Sequence, residues 1–95
     1  MALFVKTNSS MLCVEDFDDG VATITGYAEN SVKELINASI ECLTDPAFEQ
    51  VVHDSFGAAT PLKSIRFQAS GKYFTIPRSE RNSTVLYQKW LKLAE

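Results

Sequence analysis

The sequence predicts an α+β two-layer sandwich, a mainly antiparallel sheet with helices packed on one face, in the order βββ-αα-ββ-α. Three observations predict it. Short apolar and β-branched runs fall in one group of three and one group of two, each parted by turn residues. Apolar residues at helical spacing mark two segments between the groups and one after them. The connections within each group are too short for anything but antiparallel neighbours, which leaves the helices to cover the sheet.

The first group begins with residues 2–6 (ALFVK) and 11–15 (MLCVE), parted by the polar cluster Thr7-Asn8-Ser9-Ser10 and read as a hairpin. A third strand covers 21–27 (VATITGY), after a turn assigned to residues 16–20 (DFDDG). Pairing Leu12 with Ile24 and Val14 with Ala22 puts these four on one face, with Cys13 and Thr23 on the other.

Ser31 then caps a helix, with Glu34 three residues on as a capping box. Val32, Leu35, Ile36, Ile40, Cys42 and Leu43 fill its apolar stripe. Asp45-Pro46 supplies a cap and a first-turn proline for a second helix, in which Phe48, Val51 and Val52 share a face before Gly57 ends it. After a connector over 58–62, strands 63–69 and 72–76 flank Ser70-Gly71. A two-residue loop there pairs Phe67 with Phe74 and Ile65 with Ile76. The same register sends Arg66, Gln68, Tyr73 and Thr75 to the opposite face. A last amphipathic helix over 79–95 carries Leu86, Tyr87, Trp90, Leu91, Leu93 and Ala94 on one stripe.

Size agrees with this plan. At 95 residues, 45% hydrophobic and 11% aromatic, the chain has the supply of one packed core, and one domain spanning 1–95 is expected. No run approaches the roughly 18 apolar residues of a membrane span, and the first residues lack the pattern of a signal peptide. Two cysteines, Cys13 and Cys42, are too few for a disulfide framework. A cytoplasmic protein with free thiols is the expectation.

Charge is unevenly placed along the chain. Residues 1–60 hold two basic and ten acidic side chains, a net of −8, whereas 61–95 hold seven basic and two acidic, a net of +5. A small domain usually interleaves its elements, which would mix these charges and merely solubilise the surface. If the halves instead separate in space, the molecule acquires an acidic and a basic side that steer charged partners.

The candidate chemical motifs lack the residues their chemistry needs. The Asp16-x-Asp18-Asp19-Gly20 run fails as a calcium loop, because the fifth position is Gly20 and the twelfth is Tyr27. His53, beside Asp54, could serve as a base only for a cysteine, yet neither Cys13 nor Cys42 has an electropositive setting, so His53 reads as a surface histidine. Three soft ligands at irregular spacing make no zinc site. The scattered glycines make no phosphate loop. No catalytic residue, metal or cofactor is therefore expected.

What remains is a non-enzymatic, stoichiometric binding module, an accessory or inhibitor of another protein. The acidic residues Glu15, Asp16, Asp18, Asp19 and Glu29 would meet a basic cleft on the partner, such as the phosphate-binding cleft of nucleic-acid-handling machinery. The alternative is direct RNA or single-stranded DNA binding by the outer face of hairpin 63–77. There Lys63, Arg66, Gln68, Lys72, Tyr73, Thr75 and Arg78 would combine phosphate neutralisation with stacking. A monomer and a homodimer both agree with the charge distribution.

Overall fold

The computed structural model of the protein describes residues 3–8, 10–26, 31–69 and 71–94. The elements follow the expected order: β1 (Leu3–Lys6), β2 (Met11–Asp18), β3 (Val21–Gly26), α1 (Val32–Leu43), α2 (Pro46–Phe56), β4 (Ser64–Ala69), β5 (Lys72–Pro77) and α3 (Ser83–Ala94). The five strands form one mixed sheet whose spatial order repeats the chain order, β1-β2-β3-β4-β5. Three seams are antiparallel. The fourth, β3 with β4, is parallel, and α1 and α2 form the crossover that a parallel pair requires.

Alternation along the strands explains why one face is buried. Leu3, Val14, Ile24, Phe67 and Phe74 form a cross-strand row, with Phe17, Ala22, Ile65 and Ile76 in a second row. Apart from the half-buried Leu3, all of these are buried in one cluster with Leu35, Ile36, Leu43, Phe48, Val52, Leu86 and Trp90 from the three helices. Phe67, Phe74 and Trp90 meet as an aromatic triad with centroids 5.7, 6.1 and 6.3 Å apart, which docks α3 on the second hairpin.

The first hairpin pair departs from the expected register. Leu12 lies opposite Gly26 and Val14 opposite Ile24, two residues from the expected pairing, although the faces are as expected. A shorter turn moves the pairing three residues along, and a β-bulge between Val14 and Asp16 takes one of them back. Strict alternation would point Asp16 into the core and Phe17 into solvent. Burying an unpaired carboxylate is costly, so the strand takes one extra residue and changes phase. Glu15 and Asp16 are consequently both exposed, and Phe17 is buried. Strand β2 then runs on to Asp18, and the turn shrinks to Asp19-Gly20, both at positive φ (51° and 81°), as a tight two-residue hairpin requires. The Gly20 carbonyl accepts from Lys63 N–H at 2.8 Å, which stitches this turn to the start of β4.

The caps are the expected ones. Ser31 Oγ accepts from Glu34 N–H, Asp45 Oδ1 accepts from Ala47 N–H, and Gly57 closes α2 in the left-handed region. The second hairpin pairs Phe67 with Phe74 and Ile65 with Ile76 as expected. Three helix assignments are corrected. Helix α3 starts at Ser83, because Asn82 Oδ1 caps it by accepting from Thr84 and Val85 N–H. Val51 is exposed, since α2 sits at the rim of the layer and buries Phe48 and Val52, with Phe56 partly buried beside them. Leu91 and Leu93 are also exposed, because α3 buries only its Leu86 and Trp90 side against the hairpin.

Candidate functional site

All three helices cover one face of the sheet, and among the described residues no element covers the other face, which is bare. The register lays out its residues. Phe4, Cys13 and Thr25 form one row; Asp16, Thr23, Arg66 and Thr75 form the next; Gln68 pairs with Tyr73 beyond. Two aromatic side chains stand open here, Phe4 at 61% and Tyr73 at 55% relative exposure.

Arg66 is the best-fixed group on this face. Its guanidinium lies 4.8 Å from the Tyr73 ring centroid, and its Nη2 donates to Thr23 Oγ1 at 3.0 Å. Its Nε is buried without a hydrogen-bond partner among the described residues. Held from β3 and β5 at once, the side chain presents a pre-ordered planar cation beside an exposed ring, an arrangement suited to carboxylates or to flat surfaces.

The seven residues expected to form a basic face do not gather in one place. Arg66, Gln68, Tyr73 and Thr75 share the bare face. Lys72 reaches α3 instead, where Nζ donates to the Leu93 carbonyl at 2.6 Å. Arg78 turns toward α2 and the connector, donating to Glu49 Oε2 at 3.3 Å and to the Leu62 carbonyl at 3.0 Å. Lys63 sits at the end of the sheet, 3.9 Å from Asp19. The bare face therefore carries Arg66 with the carboxylates of Asp16 and Asp18 rather than a cationic stripe.

The acidic set is more compact. Glu15, Asp16 and Asp18 are exposed along the second half of β2, and Asp19 follows in its turn. Glu29 lies outside the described residues. Chain-order strands put this acidic run and the β4–β5 hairpin on opposite sides of β3. The pairs Asp19 with Lys63 and Glu49 with Arg78 nevertheless join the two charge halves at one end of the sheet.

His53 is only partly exposed. Its half-buried ring lies 5.7 Å from Phe17, and Nε2–H donates to the Thr60 carbonyl at 2.7 Å, which ties the end of α2 to the connector. Asp54 accepts from Gln50 instead. Cys42 is buried, and burial with Glu41 and Asp45 nearby pushes its thiol up to about 12, away from nucleophilic use. Among the described residues no three His, Cys, Asp or Glu converge as metal ligands. No described helix is long and apolar enough to cross a membrane.

No family model, curated protein or solved structure matches this chain.

Sequence reasoning put Thr23 on the face away from the core but named neither Phe4 nor Thr23 as part of the site. The signal for Phe4 was present, since Leu3 and Val5 flank it and alternation sends it to the other side. Thr23 needed the parallel seam, which no local pattern announces.

Proposed function

We propose that the protein is a non-enzymatic binding module that engages another protein, one to one, through the bare face of its sheet. The observation that carries this reading is the pairing of a pre-ordered Arg66–Tyr73 stack with the exposed Phe4 and the neighbouring carboxylates of β2. Tyr, Phe and Arg are the residues enriched at protein interfaces, and fixed ones lose little entropy on binding. Glu15, Asp16, Asp18 and Asp19 form an acidic rim, so the partner surface is basic and the association salt-sensitive. An accessory or inhibitory role at a cleft that otherwise takes up nucleic acid fits that chemistry.

Capture from the source cell at low and high salt, compared with Tyr73→Ala and with Asp16→Lys, tests it. A basic partner held at low salt, and lost with either variant, is the expected result. Truncation of Tyr73 should weaken a purified complex about 30-fold if it is a central contact worth about 2 kcal/mol. A partner that ignores salt and both substitutions removes the proposal. Nucleic-acid binding by the same face has Arg66 and Tyr73 in its favour and Asp16 and Asp18 against it. It becomes the better reading if mixed oligonucleotides bind at about 50 mM salt and Arg66→Glu abolishes that binding.

A further inference from the structure

A second surface lies at the β1 edge of the sheet and shares Phe4 with the face just described. Strand β1 is an edge, and among the described residues no strand pairs with its outer side. Every second residue of such an edge offers its N–H and C=O outward, which is a template for another extended chain. Beside it runs a groove of about 320 Å3 between β1 and the junction of α1 with α2. Val5, Phe48 and Val51 supply apolar lining, and Val51 is 42% exposed although Phe48 and Val52 of the same helix are buried.

The groove is also negatively biased. Glu41 and Asp45 line it against one cation, Lys6. The last turn of α1, which ends here, has no basic side chain to offset its negative end. The same two carboxylates raise the Cys42 thiol after burial does, so their field reaches the groove lining.

We infer that this edge and groove bind an extended peptide segment of a partner as a sixth strand, with alternate apolar side chains over Phe48 and Val51 and a Lys or Arg between Glu41 and Asp45. Geometry sets the alternation. Inward side chains of an added strand continue the row of Leu3 and Val5 and come to lie on α2. Charge sets the basic residue, because Glu41 and Asp45 accept backbone N–H groups of Asn8 and Ala47 but have only Lys6 of the groove lining to offset their charge. This inference does not rest on the bare-face reading: Phe4 borders both surfaces, but Arg66, Tyr73 and the β2 carboxylates take no part in the groove.

A random octapeptide library displayed on phage, panned against the full chain and counter-selected on Val51→Arg, tests it. The expected enrichment is for peptides with apolar residues at alternate positions, at least one Lys or Arg, and no central proline. Binding should fall about tenfold or more with Val51→Arg, which charges the groove at an exposed position. It should fall about threefold with Glu41→Gln, which keeps the acceptor for the Asn8 N–H. Bound peptide should slow hydrogen exchange at β1 amides. No enrichment, equal binding to Val51→Arg, or protection confined to β4 and β5 would overturn the inference, and none of these results bears on the Tyr73 and Asp16 test.

Discussion

Replacing Gly20 with alanine should be far more damaging than the same change at Gly57 or Gly71. The residue sits at φ +81°, where a Cβ costs about 1 kcal/mol or more. The added carbon would stand 2.7 Å from the Pro61 carbonyl oxygen and 2.9 Å from Lys63 Cγ. The lysine can swing away, but the carbonyl is backbone, so the turn must back off from the connector. That retreat puts the 2.8 Å bond from Lys63 N–H to the Gly20 carbonyl at risk, worth about 1 kcal/mol. The total is about 2–4 kcal/mol, or a melting temperature lower by about 10–25 °C for a domain of this size. Gly57→Ala is the control, since its φ is +64° but nothing lies within 4 Å of the added carbon, and it should cost about 1 kcal/mol. Urea unfolding followed by Trp90 fluorescence measures both at constant m. Equal midpoints for the two variants would refute the idea that the turn is docked on the connector.

Three further outcomes follow from the packing and the charges. The Leu62 amide that donates to Glu49, with Arg78 beside it, holds that carboxyl below its ordinary 4.5, so its stabilisation is complete above that pH and is lost as pH falls through the lowered value. Glu49→Gln should therefore lower stability at pH 7 and flatten the acid limb of a stability–pH curve, and parallel curves for the two proteins would count against the clamp. Cys42 should react with Ellman's reagent at pH 8 only as fast as the protein unfolds, and prompt labelling of both cysteines in the native protein would contradict its burial. Trp90→Ala opens a void against Phe67 and Phe74 and should cost about 3–5 kcal/mol by urea titration, whereas a loss under 1 kcal/mol would mean that α3 is not docked as described.

Where sequence reading succeeded, a local cause acts alone. Ser31, Asp45 and Gly57 mark helix ends because each satisfies backbone groups within a few residues of itself. The Phe67–Phe74 register follows from a two-residue loop and strict alternation on both sides. Where reading failed, two requirements compete or a distant element decides. The double polar step Glu15-Asp16 is a phase change rather than a turn, and only the burial of Phe17 on the far side reveals it. Val51 matches the helical stripe of α2, yet nothing in its own helix says that the sheet ends beneath it. Lys72 and Arg78 flank the outer residues in sequence, but alternation and the backbone acceptors at Leu93 and Leu62 draw them to the helix side. The faces of the side chains were thus legible from alternation, Phe4 and Thr23 included, whereas the contact of Thr23 with Arg66 follows only from the assembled parallel seam.

The agreement between chain order and strand order has a kinetic consequence. Both antiparallel ribbons close over short loops and can form early and independently, each held by neighbours a few residues away. Joining them requires the parallel β3–β4 seam, whose closure must wait until α1 and α2 have condensed between the ribbons. Assembly is then a docking of two preformed halves along a single line, and substitutions on that line should slow folding while those in either ribbon chiefly speed unfolding.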